Sequence, residues 1–301
     1  MRDVAQGGRL FLEAFIMLKQ SATYERQMAK LKGHGCEIHD EEFCVKVLER
    51  ISYYRLSAYF LPFKTEDKKY ISGTTFANVY SLYEFDRKLR RLLFSMIEEL
   101  EVFIQAQFSY YHTQKYGSDG YLNPANFNNR HNHAYFTKRV DDMLRNHRKL
   151  LYVKHHMNEY DGKFPLWVLI ELFTFGMLSY FYSDMITADQ KAVALNTFGK
   201  NYRKVKSWLY CCTDLRNLCA HSGRLYYKTF SIAPAQITGV CKENERSLFA
   251  AIMALRELYP NEFKWNYEFL PSMISIFGEH YDVVDLQHIG FPEKWENIVR
   301  M

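Results

Sequence analysis

The sequence predicts a mainly α protein. Apolar residues recur at helical spacing in segment after segment, most continuously from Phe85 through Leu89, Leu92, Leu93, Met96, Leu100, Phe103 and Ile104 to Phe108. No stretch alternates apolar and polar residues as a half-buried strand does. The breaks between segments carry glycine, proline or asparagine, the residues that stop helices.

The segments follow in order. Residues 1–20 read as an N-terminal extension; a basic start and a short apolar run mimic a signal peptide, but Glu13 interrupts the run and no small-x-small cleavage site follows. Residues 1–16 are expected to contribute little to the fold. Residues 21–74 form an N-terminal helical region. A first helix is capped at Ser21 or Thr23 and stops at Gly33 and Gly35. A second starts at Asp40, repeats through Phe43, Val47, Ile51 and Tyr54, and ends at Pro62. "KTEDKKYISGTT" is a loop or small hairpin. A helical core, residues 75–228, begins with one long helix over 75–115, stopped by Gly117 and Gly120. Further helices are predicted over 134–159, 164–185, 187–198 and 201–221. A C-terminal helical region, 229–301, packs on that core, with a helix closed by Pro260 and another near 266–278.

Apolar residues at 48% of 301 provide for a sizeable core. The net charge of +5 is compatible with a nucleic-acid partner without requiring one. Six cysteines lack any CxxC pair and any disulfide-like spacing, which fits reduced thiols and a cytoplasmic location. The adjacent pair Cys211–Cys212 does not have the usual ligand spacing, so no metal and no cofactor is expected. Residues 164–185 approach the length of a membrane span, but Glu171 sits near their middle; a core helix and no membrane contact are expected.

One compact polar cluster remains. "LRNLCAHSGRLYYK", residues 215–228, closes the 201–221 helix, with Ser222–Gly223 as its stop. Asn217 and His221 share a face. Arg216 and His221 lie about 140° apart round the axis and ~7.5 Å along it, so they can flank one object at the helix end. A phosphate is such an object: arginine offers it a planar fork, and histidine can move a proton near neutral pH. Metal-free RNA cleavage needs that pairing, a general base or acid and a stabiliser of developing charge. An Arg-x4-His spacing alone is weak, and a histidine that merely caps a helix C-terminus is the alternative.

"LRNLCAHSGRL" resembles the HEPN superfamily, whose ribonucleases carry Arg, a polar residue, three variable residues and His. "YERQMAKLKGHGCEI", "ISYYRLSAYFLPF", "LYEFDRKLRRLLFSMIEELEVFIQAQFSYYHTQKYG", "PLWVLIELFTFGMLSYFY" and "IGFPEKWENI" together resemble the abortive-infection AbiD/AbiF-like family, from about residue 22 to 298. The resemblance implies a HEPN-type helical bundle with extra N- and C-terminal helices. It also implies phage defence by RNA cleavage, Arg216, Asn217 and His221 as catalytic residues, and control by a partner that in some members is a small non-coding RNA. Where the family often has a second histidine after the motif His, this chain has Ser222. HEPN nucleases juxtapose two motifs; one copy here implies a homodimer, the alternative being a monomer whose second set of groups, Arg87 among them, comes from a divergent N-terminal helical half.

Supporting roles are expected of Arg224 and of Glu171, which resembles an acidic position of the family and could orient Arg216 or His221; a structural hydrogen bond from Glu171 to another helix is the alternative. Arg87, in "YEFDRKLRR" with Asp86, Arg90 and Arg91, could bind RNA; a solvated face of i,i+4 pairs is the alternative. Residues 130–156 hold seven Lys/Arg, two Asp and five His. Within them Arg130, Lys138, Arg139, Arg145, Arg148 and Lys149 form an expected RNA-binding strip, with Tyr135, Phe136 and Tyr152 for stacking. The expected function is thus a metal-independent endoribonuclease toxin; the other reading is a non-catalytic RNA-binding or scaffold protein of a defence or toxin–antitoxin system.

Overall fold

The computed structural model describes residues 20–301, whose regular structure is helical, with isolated β-bridges in place of a sheet. The expectation for residues 1–16, like the leader-like run, lies outside the described residues. Contacts divide the chain into two compact units that meet in sequence at Phe76–Ala77.

The first unit contains α1 (Tyr24–Gly33), α2 (Glu41–Arg50) and α3 (Tyr53–Ser57). Thr23 and Asp40 cap α1 and α2, accepting the Arg26 and Phe43 amides. The single helix expected from Asp40 to Pro62 is instead two. Ile51 turns extended, and the Ser52 hydroxyl restarts the chain by accepting the Arg55 amide. Lys64 and Tyr70 bridge antiparallel, closing the small hairpin. Phe43, Phe60 and Phe76 meet edge-on or tilted in the core.

The second unit is organised on α4 (Phe76–Tyr116), which begins at the boundary and ends at left-handed Gly117. Leu82, Phe85, Leu89, Leu93, Leu100, Ile104 and Phe108 are fully buried along it. After α4 come α5 (His133–Asn146) and α6 (Leu151–Glu159), where one helix was expected over 134–159. The His147 imidazole Nδ1 lies 2.9 Å from the Met143 carbonyl, ending α5, and Leu150 is extended. The predicted 164–185 helix is likewise broken into α7 (Leu166–Leu169), a 3-10 turn (Ile170–Leu172) and α8 (Phe175–Asp184). Thr174 caps α8 through the Met177 amide, and the buried Gln105 side chain donates to the carbonyl that extended Phe173 leaves free. Among the described residues, no helix is long and apolar enough to cross a membrane.

α9 (Thr187–Phe198) and α10 (Tyr202–Ala220) follow the predicted ranges. Buried Asp189 accepts from Tyr111, Lys115 and Tyr116, fixing the start of α9 to the end of α4. Beyond a loop that folds back on α10 through Trp208 Nε1 and the Ala235 carbonyl come α11 (Leu248–Leu258), α12 (Glu262–Lys264), α13 (Leu270–Gly278) and α14 (Trp295–Val299). A π-turn, Trp265–Phe269, joins α12 to α13 without a break. α10 packs between α8, α9 and α11, with one face buried in the unit and its last turn reaching the surface.

Candidate active site at the end of α10

α10 buries one face, made of Val205, Trp208, Leu209, Cys211, Cys212, Leu215 and Cys219. Burial pushes the Cys211 and Cys219 thiols up to about 12 and Cys212 well above its ordinary value, so these thiols stay protonated and serve packing. Among the described residues, no three His, Cys, Asp or Glu are grouped to hold a metal ion.

The helix ends in a Schellman motif. The Gly223 amide bonds the Leu218 carbonyl at 2.7 Å and the Ser222 amide bonds that of Cys219 at 3.2 Å. Ser222 adopts the left-handed conformation, φ 54°, that a glycine usually takes there. Gly223 is required for a different reason: a Cβ would sit 2.8 Å from Leu218 Cδ2 and 3.2 Å from its carbonyl. This turn leaves His221 as the C-cap residue, exposed, its amide on the Asn217 carbonyl, with Asn217 exposed beside it.

Arg216 points the other way, against α4. Its guanidinium lies 6.0 Å from the centre of the Phe94 ring, and its Nε is 3.7 Å from Glu101 Oε2. That is an ion-pair distance but too long for a hydrogen bond. Nε is buried and makes no hydrogen bond, while about a quarter of the side chain stays exposed. Burial raises the Glu101 carboxyl above its ordinary range, partly opposed by Arg216 and by the Phe175 backbone. Glu101 rather than Glu171 is therefore the acid facing Arg216. Glu171 is exposed on the 3-10 turn after α7, where its charge acts on Tyr152. The sequence did carry a signal for Glu101: Phe94, Glu98 and Glu101 stand at i, i+4 and i+7, on one stripe of α4.

A second set of residues holds the chain just past the motif. Asp86, fully buried, accepts the Leu225 amide on both oxygens at 3.1 and 3.0 Å and the Tyr226 amide at 2.8 Å. Arg90 pairs with Asp86 and donates to the Gly223 carbonyl at 3.1 Å. The solvated face expected for "YEFDRKLRR" is thus wrong for its two central charges. They form the expected i,i+4 pair, but they are buried because the backbone at 223–226 covers them. Arg224 lies between the clamped residues, half-buried. Arg87 bonds both oxygens of Glu84, which raises its own pKa, and is not brought to the motif by any of these contacts.

The basic strip is exposed as expected, but it does not act as one surface. Arg130 and Arg139 converge on a cleft with Tyr135 and Phe136. Arg145 is paired to Asp142, Arg148 and Lys149 lie in the turn between α5 and α6, and Lys138 is exposed outside the cleft lining.

Comparison with curated proteins gave no match, and comparison with solved structures gave none. Comparison with protein families gave one: residues 46–227 match the family described as Abi-like protein, a span that contains α4 with Glu101 and the Asp86–Arg90 pair, all of α10, and the motif with the residues clamped behind it. With more than half of its length matched, the chain belongs to the Abi-like protein family.

Proposed function

We propose that the chain is a metal-independent endoribonuclease of the HEPN type, acting in the cytoplasm as an abortive-infection toxin against phage. The observation that carries this is Arg216. It is a part-buried arginine without a hydrogen bond at Nε, set loosely against Glu101, on the last turn of a helix whose cap is an exposed histidine. A structural arginine of that burial would ordinarily be satisfied. One with Nε unbonded, five residues before an exposed histidine that can move a proton, suits a phosphodiester.

In the proposed reaction a ribose 2′-OH loses its proton to a base and its oxygen attacks the adjacent phosphorus. Arg216 stabilises the charge that develops on the phosphorane. The P–O5′ bond breaks and the leaving oxygen takes up a proton. The products are a 2′,3′-cyclic phosphate and a 5′-OH, with no redox change. His221 fills one of the two proton-transfer roles, and Asn217 on the same exposed turn orients the substrate. In a concerted in-line displacement the base and the acid act together on opposite sides of phosphorus, which one histidine cannot do, so the second role is assigned to His221 of a facing copy in a homodimer. A small non-coding RNA is the proposed antitoxin.

The test is incubation of the purified protein with total RNA in EDTA, with cut ends mapped chemically. Cyclic-phosphate and 5′-OH ends are expected, and His221→Ala should lower the rate by ~10²–10⁴ with its melting temperature unchanged. A folded His221→Ala chain that still cuts would sink the catalytic reading. Mixed dimers of His221→Ala and Arg216→Ala chains should show non-additive activity; a strictly monomeric, fully active protein would end the two-copy scheme.

A further inference from the structure

A cleft of about 400 Å³ opens beside the N-terminal half of α5, away from the end of α10. Its volume is within the range that holds small ligands. Phe127, Phe136 and Phe181 make the floor, packed on one another with ring centres 5.7–6.3 Å apart. Two tyrosines stand at the rim, Tyr135 at 59% and Tyr180 at 63% exposure. Packing alone does not explain rings exposed to that degree over an aromatic floor. Tyr180 is held edge-on by Tyr210, 5.9 Å away, and Tyr135 by Arg139, whose guanidinium lies 5.9 Å from the ring centre. Arg130 and Arg139 both line the cleft and are both exposed.

The wall carries a built polar group. His131, its side chain almost fully buried, stacks on Phe127 at 4.1 Å and holds Asp184 through Nδ1 at 2.9 Å. Its other nitrogen meets His133 Nδ1 at 3.2 Å. The Nδ1–H donates to the carboxylate, so Asp184 is fixed in place, with one oxygen engaged and further acceptor capacity left over the cleft it lines.

We propose that this cleft binds one nucleotide of single-stranded RNA, its base stacked at Tyr180 and Tyr135 and its phosphate on Arg130 and Arg139. Asp184 accepts a hydrogen bond from the exocyclic amine of the base. Exposed rings next to arginines are what stacking and phosphate contact require. A fixed carboxylate, an acceptor only, selects bases that offer an amine, so cytosine is favoured over uracil. The cleft rests on the reading of the chain as an RNA-binding protein and does not depend on cleavage.

Binding is measured by fluorescence anisotropy with 5′-labelled octaribonucleotides C8 and U8, using the full chain carrying His221→Ala so that nothing is cut. The parent should prefer C8, and Asp184→Asn, which can still accept from His131, should erase that preference. Tyr180→Ala should weaken C8 binding about fivefold or more without changing the salt slope. Arg139→Ala should weaken it and lower the slope by about 0.7. Both side chains are exposed, so their removal should leave the melting temperature in place. If the parent binds RNA and all three variants bind as the parent does, the cleft is not the site while the RNA-binding reading stands. If no chain binds either oligonucleotide, the RNA-binding reading itself fails and the cleft goes with it.

Discussion

Replacing Asp86 by alanine tests whether the chain behind the motif is clamped from α4. The side chain is fully buried, and it takes the Leu225 and Tyr226 amides and the Arg90 guanidinium. Removing it strands a charged arginine in the interior, which costs about 3–5 kcal/mol where measured. It also orphans two buried amides, each worth about 1–3 kcal/mol. These terms overlap as the site relaxes, so the expected loss is about 4 kcal/mol. At 2–4 °C per kcal/mol for a unit of this size, the melting temperature should fall by ~8–16 °C. Asp86→Asn keeps an acceptor and loses the charge; about half that drop is expected. Scanning calorimetry measures both, and a double-mutant cycle with Arg90→Met isolates the pair, whose coupling should exceed about 1 kcal/mol. An Asp86→Ala chain melting within two degrees of wild type would refute the clamp. Cleavage by Asp86→Asn, assayed well below its melting temperature, should fall because Gly223–Tyr226 no longer fixes the end of α10. An unchanged rate would mean that the clamp stabilises the fold without positioning the motif.

Arg216→Lys should lose cleavage, because a point charge cannot reproduce a bidentate fork; full activity would show that only the charge is needed. Glu101 has its folded pKa raised by burial, so it favours the folded state below about 4.5 and that contribution is lost as pH rises through the raised value. Glu101→Gln removes the effect, and its melting temperature relative to wild type should therefore climb between pH 4 and pH 7; a flat difference would contradict the burial.

Local signals in the sequence were enough where the physics was local. Thr23 and Asp40 cap helices through amides three residues on, and Gly117 takes the left-handed φ that stops α4. The stop at Ser222–Gly223 was legible in the same way. Failures came where a partner far along the chain changed the local balance. A break at Phe173 is not signalled within "FPLWVLIELFTFGML", a mostly apolar run that reads as one helix. It is stabilised by the amide of Gln105, 68 residues earlier. Asp86 and Arg90 read as a surface pair because nothing in "YEFDRKLRR" reveals that backbone some 140 residues later will cover them. Of the site, the reactive side chains were readable as a motif, whereas Glu101, which faces one of them, is one of four glutamates of α4.

Glu101 bears on how a phosphate would enter the proposed site. An arginine bonded in two places to a carboxylate must break both bonds before it can take a phosphate, and the gain is largely cancelled. Arg216 is not in that position. Its Nε stands 3.7 Å from the carboxylate and is unbonded, so the pair contributes charge compensation without hydrogen bonds to break. Burial meanwhile disfavours the ionised form of Glu101, against the pull of Arg216. The side chain is kept over Phe94 by contact rather than by a strong acceptor. A phosphodiester, offering two oxygens to the fork, would then add hydrogen bonds that the free protein does not already make. The clamp at Asp86 and Arg90 complements this from the other side. Its hydrogen bonds to backbone at 223–226 hold the turn carrying His221 through groups that take no part in the proposed reaction.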